Sequence, residues 1–328
     1  MGKHAPPLGQ YHDVGGRRLL LHRSGGGSPA VVFLPGAGAV GLDYLNVQRE
    51  AAELSTSVVY DRAGTGWSDP GGLPRSAAEV TDELRALLAV ADVPPPYLFV
   101  GHSLGGVYAR HYAQRFPHEV AALLLMDPGH EDYDAYMPRE PNETSGAPGA
   151  FAASARKQLY RLLNAFLAGA VRWAPTRALL LRLPVVRYYR DRYRALFGRE
   201  MADWPADVRD ELIECHVSPE WLLVGLREVQ NVDQLSDEVR RAGPVPDVPL
   251  IVLYSTAIDD FGRVVSAGRS ESLLREQIEG RRRLYTVLAG SVPRGEIRPV
   301  DAGHVTMHLR HPGDVLRAVR DLLQRLAS

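Results

Sequence analysis

The stretch YLFVGHSLGG, residues 97–106, decides the fold of this 328-residue chain. Its first four residues are apolar and predict a short buried strand that stops at Gly101, and helical spacing begins at Gly105. The letters between fit the pattern G-x-S-x-G, whose glycines let a strand and a helix approach closely through a sharp turn. In such a turn the Ser103 hydroxyl is exposed at the N-terminus of the helix, where the Leu104 amide and the helix dipole can stabilise negative charge. We therefore predict that Ser103 is a nucleophile.

A serine hydroxyl is a weak nucleophile, so a base has to activate it. The sequence DAGH, residues 301–304, lies between a predicted strand and the last predicted helix, and it offers His304 as that base. His308 and His311 follow at a spacing that could place three histidines on one helix face. Because Gly303 puts His304 in a loop instead, we predict no metal site and interpret the two later histidines as surface or packing residues.

Strands and helices alternate on both sides of the turn at Ser103. Residues 11–23 predict a hairpin around Gly15-Gly16, and Ser76 with Glu79 forms a capping-box pattern at the start of a helix. The alternation is typical of an α/β fold with a mostly parallel sheet and helices on both faces. The other predicted strands are Ala30–Leu34, Val58–Tyr60, Tyr97–Val100, Ala121–Met126, Leu250–Tyr254 and Glu296–Val300, and the predicted helices are Ser76–Val90, Gly105–Gln114, Ser270–Gly280 and Asp314–Leu326.

A long stretch in the middle of the chain interrupts this alternation. From about residue 138 the pattern becomes helical and rich in Arg and Leu, with no convincing strand before Pro249. We predict an inserted helical cap at residues 138–245, between two parts of one core at residues 1–137 and 246–328. A cap over the catalytic end of the sheet excludes water and shapes the substrate pocket, and its apolar content predicts a small-molecule substrate with an apolar portion.

The cap carries a concentrated positive charge. Residues 151–199 hold ten Arg and one Lys against one acid, Asp191, which is 11 − 1 = +10. We expect the arginines to be solvated while the apolar faces pack on the core. Two alternatives to this expectation stay open, namely recognition of an anionic substrate group and contact with a membrane surface, which is not favoured.

Composition excludes several classes of protein. The hydrophobic fraction of 45% and charged fraction of 23% are typical of a globular protein, and the net charge of 38 − 39 = −1 argues against nucleic-acid binding. The single cysteine, Cys215, excludes an internal disulfide, is expected to be a packing residue and fits a cytoplasmic location. Residues 1–13 lack the apolar core of a secretory signal, and the sequence holds no apolar run long enough for a membrane span. The oligomeric state stays open.

A second glycine pattern points to a different function. Residues 36–41 read GAGAVG, which fits G-x-G-x-x-G after a predicted strand, and Asp61 follows twenty residues later, as in a dinucleotide-binding site. Pro35 at the strand-to-turn junction and the preceding hairpin argue against that interpretation. We therefore predict no cofactor.

Four motifs in this order resemble those of the α/β-hydrolase superfamily: LPGAG at 34–38, YDRAGTGWSD at 60–69, GHSLGG at 101–106 and DAGH at 301–304. The resemblance covers nearly the whole chain outside the cap and implies the α/β-hydrolase fold. It also implies that the Ala37 amide joins the Leu104 amide in an oxyanion hole.

The same resemblance leaves the acid of the triad open between two positions. In many members the acid lies in the loop after the strand that follows the cap, which here offers Asp259, with Asp260 as a weaker candidate. In other members the acid ends the strand after the elbow helix, where this chain has Asp127. The expected activity is hydrolysis of an ester, or of a thioester or amide, through an acyl-enzyme. Acyl transfer, cyclisation or perhydrolysis by the same triad, and ligand binding without turnover, are the alternatives.

Overall fold

The computed structural model describes residues 5–138, 175, 179, 182, 184–258 and 270–327. Within these residues eight strands form one sheet in the order β1-β2-β4-β3-β5-β6-β7-β8. The strands are β1 Gln10–Asp13, β2 Arg18–Ser24, β3 Ala30–Leu34, β4 Ser57–Tyr60, β5 Tyr97–His102, β6 Val120–Met126, β7 Leu250–Ser255 and β8 Gly295–Val300.

The sheet is mostly parallel, which confirms the predicted fold class. The hairpin β1–β2 is antiparallel and β2 joins β4 in antiparallel register, whereas the strands from β4 to β8 pair in parallel. All residues of β3 and β5 are buried, as expected for central strands that helices cover on both faces.

The helices occupy both faces of the sheet. They are α1 Leu45–Ala51, α2 Ala77–Val90, α3 Leu104–Arg115, α4 Tyr133–Tyr136, α5 Pro184–Glu200, α6 Ala206–Val217, α7 Pro219–Glu228, α8 Val232–Arg241, α9 Glu271–Gly290, α10 Met307–Arg310 and α11 Pro312–Ala327, with short 3-10 helices at Gly41–Tyr44 and Pro117–Glu119. Buried residues of α2, α3 and α9 form one hydrophobic cluster, and those of α1 and α11 form a second cluster on the opposite face.

Local sequence sets the start of helix α2, whereas packing explains a glycine inside helix α9. The predicted capping box of α2 is present, because the Glu79 amide donates to Ser76 Oγ at 3.1 Å and the Ser76 amide donates to Glu79 Oε2 at 2.8 Å. The prediction that a helix ends at Gly280 is wrong, since α9 continues to Gly290. A Cβ at position 280 would lie 2.5 Å from the carbonyl oxygen of Tyr136, so this glycine allows close packing of α4 instead of ending α9.

Helices α5 to α8 lie in sequence between β6 and β7, and we call them the inserted helices. Their apolar residues reach the core, since Tyr193, Leu196 and Phe197 of α5 are buried. Arg194 and Arg199 on the same helix are exposed. Most of the arginine-rich segment 151–199 lies outside the described residues, so its predicted role and the exact limits of the cap stay predictions.

Among the helices that the structure describes, none combines the length and the apolar character that a membrane-spanning helix needs.

Candidate active site

The turn between β5 and α3 has the strained geometry that an exposed serine requires. Ser103 has φ 51° and ψ −117° and precedes the first residue of α3. A Cβ at Gly105 would lie 2.0 Å from the carbonyl oxygen of Leu34, and one at Gly101 would lie 2.8 Å from Gly106 Cα. The glycines are therefore required for the close contact of strand, helix and the loop after β3.

The structure brings three of the predicted site residues together. His304 Nε2 lies 3.1 Å from Ser103 Oγ, and His304 Nδ1 lies 3.3 Å from Asp127 Oδ2. Ser103 and His304 are 201 positions apart in the chain. The other predicted acid, Asp259, and the weaker candidate Asp260 lie outside the described residues.

Asp127 is held at the end of β6 as a buried carboxylate. The amide of Ser255 donates to Asp127 Oδ1 at 3.1 Å, while Oδ2 faces His304. Burial alone would raise the pKa of Asp127, but the hydrogen bond and charge of His304, the charge of Arg281 and hydrogen bonding by Ser255 outweigh it and lower the pKa to about 2. The carboxylate is consequently ionised at neutral pH and can orient and stabilise an imidazolium.

The backbone is strained at both Ser103 and Asp127. Among the described non-glycine residues, only Asp92, Ser103 and Asp127 have a positive φ. Such conformations cost free energy and persist where the surrounding structure holds them, often at functional sites. The two strained residues are the ones whose side chains contact the two ring nitrogens of His304.

A buried network around His102, a residue that no local pattern in the sequence marks, supports the backbone of His304. His102 Nε2 lies 2.9 Å from the carbonyl oxygen of His304, and His102 Nδ1 lies 2.8 Å from Tyr44 Oη. Because a carbonyl only accepts, Nε2 carries the hydrogen and Nδ1 accepts from the Tyr44 hydroxyl. Burial, with a smaller contribution from the charge of His304, lowers the pKa of His102 to about 3. His102 is therefore neutral and holds the backbone of His304, the predicted base.

The residues that carry the predicted oxyanion donors both lie near the serine. Ala37 lines the cavity that contains Ser103 and His304. Leu104 is the first residue of α3, where backbone amides have no acceptor within the helix. A Cβ at Gly36 would lie 3.3 Å from Ser103 Cβ, so the loop after β3 runs directly beside the serine.

The glycine pattern at residues 36–41 belongs to this loop and allows its close backbone contacts. The Gly41 amide donates to Asp61 Oδ1 and the Trp67 amide donates to Asp61 Oδ2, both at 2.8 Å. A Cβ at Gly41 would lie 2.7 Å from the Tyr60 amide nitrogen. Both carboxylate oxygens of Asp61 thus accept hydrogen bonds from backbone amides. These contacts account for an aspartate at this position without invoking a bound ribose.

A cavity of about 230 Å³ opens at Ser103. Its walls combine the loop after β3, the inserted helices and the segment after β8, and are mainly apolar and aromatic. Its lining residues include Ala37, Tyr193, Phe197, His216, Val305 and Leu309. The described core and α5–α6 together therefore enclose the serine on several sides.

A larger open groove, about 890 Å³, runs beside α2 and the loop at Asp92–Pro95 and contains none of the predicted site residues.

Three further histidines, His308, His311 and His216, have packing or polar contacts. His308 is buried and stacks on Tyr44 with ring centroids 4.2 Å apart, and burial holds its pKa well below the usual value. His311 Nδ1 lies 3.6 Å from Asp314. His216 Nε2 lies 2.7 Å from Asp43 Oδ1 at the cavity wall, a pair that no local pattern in the sequence predicts. Over the residues that the structure describes, no group of three or more His, Cys, Asp or Glu side chains is arranged to hold a metal ion.

Cys215 lies in α6 and is half-buried. It packs at the margin of the hydrophobic cluster that contains α5 and α11. The expectation that this residue serves packing agrees with that position.

Comparison with known proteins places this geometry in a family. A model of the alpha/beta hydrolase family matches residues 31–319, which is most of the chain. The uncharacterized protein YbdG of Bacillus subtilis is 30% identical over 123 residues, and the match spans 37% of this chain but only 38% of YbdG.

Solved structures resemble the whole chain in fold. A thermophilic esterase from Thermogutta terrifontis has 16% sequence identity and a TM-score of 0.58, with 97% of each chain covered. An enol-lactonase from Burkholderia xenovorans has 18% identity and a TM-score of 0.56, covering 96% of this chain and all of the other. At these identities the likeness concerns the fold alone.

Proposed function

Because this chain belongs to the α/β-hydrolase family of enzymes, we propose that it is a serine hydrolase that cleaves a carboxylic ester through an acyl-enzyme. The observation that carries the proposal is the position of His304, whose two ring nitrogens face Ser103 Oγ and Asp127 Oδ2. A nucleophile, a base and a buried carboxylate in this relation form the arrangement that activates a serine.

In the first half of the proposed reaction the ester becomes an acyl-enzyme. His304 Nε2 accepts the proton of Ser103 Oγ as the oxygen attacks the carbonyl carbon, and Asp127 stabilises the imidazolium. The amides of Ala37 and Leu104 donate to the oxyanion of the tetrahedral intermediate. When the intermediate collapses, His304 returns its proton to the departing alcohol, and the acyl group stays on Ser103.

In the second half water releases the acid. His304 accepts a proton from water, which attacks the acyl carbonyl while the same two amides again stabilise the oxyanion. Collapse of this intermediate breaks the bond to Ser103 Oγ, which recovers its proton from His304. No net change in the enzyme remains, and the products are one carboxylic acid and one alcohol.

The cavity supports a small, partly apolar ester. The space that the described residues enclose is about 230 Å³, below the roughly 300–1,000 Å³ of drug-sized ligand pockets. Tyr193 and Phe197 from α5 face it together with Leu309. We propose that residues 138–245 form the cap of this pocket and that short-chain esters are preferred over long-chain ones.

The first experiment measures covalent labelling and turnover together. Wild-type protein should react with a fluorophosphonate probe at Ser103 and hydrolyse p-nitrophenyl acetate and butyrate faster than the palmitate. Ser103→Ala should abolish both readouts, and His304→Ala should reduce them strongly. His311→Ala, a nearby histidine without contact to Ser103, is the matched control and should retain both. Retention of labelling and turnover by Ser103→Ala would refute the mechanism.

The cysteine content supports a reducing compartment, and we propose the cytoplasm. Fractionation of cells that produce the full chain would test this location. Recovery in an extracellular fraction would contradict it.

A further inference from the structure

The loop after β3, residues 35–40, carries the proposed oxyanion donor Ala37, and we call it the oxyanion loop. It contacts the inserted helix α7 through hydrogen bonds and backbone packing. The Gly38 amide donates to Glu228 Oε2 at 2.8 Å, and Glu228 is the last residue of α7. The two positions are separated by 190 residues in the chain.

The same carboxylate forms a buried ion pair with Arg62, which follows β4. Arg62 Nε donates to Glu228 Oε1 at 2.9 Å and Nη2 donates to Glu228 Oε2 at 3.2 Å. The two side chains are 2% and 3% exposed. Burial disfavours the charged guanidinium, but the Glu228 carboxylate more than offsets this, so the pKa of Arg62 lies above its ordinary value. Arg62 therefore depends on Glu228 as its buried counter-ion.

Arg62 in turn binds the oxyanion loop itself. Its Nη1 donates to the Pro35 carbonyl at 2.5 Å and its Nη2 donates to the Gly36 carbonyl at 2.7 Å. The Gly36 carbonyl and the Ala37 N–H belong to one planar trans peptide, so they point in opposite directions. By holding the Gly36 oxygen, Arg62 sets the direction of the Ala37 N–H.

Glu228 acts on the next peptide plane. The Gly38 N–H that it accepts shares a peptide with the Ala37 carbonyl. The two peptides that flank the Ala37 Cα are thus held by Arg62 on one side and by Glu228 on the other. Neither contact uses the Ala37 N–H, which can therefore serve the substrate oxygen in the proposed reaction.

A second observation on α7 supports the same relation. A Cβ at Gly225 would lie 3.2 Å from Gly38 Cα and 3.8 Å from the Ala37 carbonyl carbon. The backbone of α7 therefore packs directly on the oxyanion loop, and only a residue without a side chain fits there without moving a neighbour by a few tenths of an ångström.

From these contacts we propose that Glu228, acting with Arg62, is a positioning residue that orients the Ala37 amide, so that the oxyanion hole is complete only while α7 is docked on the core. This inference rests on the proposed function, because it assigns to Ala37 the stabilisation of an oxyanion. It makes the cap a part of the catalytic geometry in addition to its role as a cover of the pocket.

Kinetics separate this role from a general effect on folding. An oxyanion donor stabilises the transition state more than the bound ester, so its displacement lowers kcat and leaves KM nearly unchanged. Loss of one such donor typically reduces kcat by about 10²- to 10³-fold. Glu228→Gln should therefore lower kcat by about 100-fold, and the affinity for a trifluoromethyl ketone, whose adduct places an oxyanion in the hole, should fall in parallel.

The experiment compares Glu228→Gln with Glu238→Gln, counting active sites by fluorophosphonate titration. Glu238 of α8 accepts from the Ala78 amide at 3.1 Å, so it also joins an inserted helix to the core but does not touch the oxyanion loop. The control should keep kcat per active site within about twofold of wild type. Wild-type kcat per site in Glu228→Gln, or an equal loss in both variants, would overturn the inference while the proposed function stands. A wild-type protein without ester turnover or Ser103 labelling would overturn the proposed function and this inference with it.

A glycine variant keeps the test decisive if Glu228→Gln does not fold. Alanine favours a helix over glycine, so Gly225→Ala should not weaken α7 locally, yet its Cβ displaces the oxyanion loop. We expect it to fold and to lose about tenfold in kcat, since small misplacements near reacting groups are costly. Gly198→Ala in α5, where a Cβ meets nothing within 4 Å, is the matched control and should keep wild-type kcat. A folded Gly225→Ala variant with wild-type kcat would overturn the inference.

Discussion

Acidification from pH 7 to pH 5 should destabilise the folded chain through His102, the buried histidine next to Ser103. His102 is 5% exposed and neutral, with Nε2 on the His304 carbonyl and Nδ1 on the Tyr44 hydroxyl. Its folded pKa is about 3, because burial above all disfavours the imidazolium, against an ordinary value of 6.5. The unfolded chain therefore binds the proton more readily than the folded chain.

The sign and size follow from linkage. Above pH 6.5 His102 is neutral in both the folded and the unfolded chain and costs no stability. Below pH 6.5 the unfolded chain binds the proton first, so the free energy of unfolding falls until the pH reaches the folded pKa near 3. At pH 5 the gap to the unfolded pKa is about 1.5 pH units, which at about 1.4 kcal/mol per unit amounts to about 2 kcal/mol from His102. The pKa of His308 is lowered in the same direction by burial, so the total loss should exceed that of His102 alone.

Urea unfolding followed by circular dichroism at pH 7 and pH 5 isolates the contribution of His102. In His102→Gln the amide can still donate to the His304 carbonyl but does not titrate, so this variant should lose about 2 kcal/mol less than wild type between the two pH values. His118→Gln, at an exposed position, is the matched control and should follow wild type. Equal losses in wild type and His102→Gln would refute the reasoning.

Three further predictions concern the acid, the elbow and a helix start. Asp127→Asn should lower kcat for a p-nitrophenyl ester by about 10⁴-fold, as loss of the orienting carboxylate does in serine proteases, whereas Asp259→Asn should change it little; the opposite ranking would transfer the role to Asp259. Gly105→Ala should prevent native folding, seen as a lost cooperative melting transition, because its Cβ would lie 2.0 Å from the Leu34 carbonyl oxygen; a wild-type melting temperature would contradict this. Ser76→Ala should cost about 1 kcal/mol in urea unfolding with kcat unchanged, and an unaltered midpoint would disprove the stabilising role of the cap.

Local patterns in the sequence were sufficient for much of the fold. Buried strands such as β3 appear as short apolar runs closed by turn residues, and the capping box at Ser76 marks the start of α2. The end of α9 was not predictable in this way. Gly280 has the appearance of a helix terminator, and its purpose is visible only once α4 lies against it.

The residues of the candidate site also differ in whether a local sequence pattern predicts them. Ser103 and His304 have local signatures, because the elbow requires its glycines and because the sequence DAGH places His304 directly after a predicted strand. The acid has none, since a carboxylate can follow several strands, and the sequence left Asp127 and Asp259 equal. The contact between Asp127 and His304 depends on how β6 and β8 are placed in the sheet.

By itself, the sequence determined the alternating α/β architecture and singled out Ser103 and His304 as the candidate nucleophile and base, because each rests on spacing within a few residues. Only the tertiary structure decided what surrounds them, namely the support of His304 by His102 and the buried pair of Arg62 and Glu228. That pair joins positions 166 residues apart, and nothing near either residue distinguishes it from a solvated charge. Hydrogen-bond partners and close backbone contacts of this kind are set by the packing of remote elements, which the local pattern of a chain does not encode.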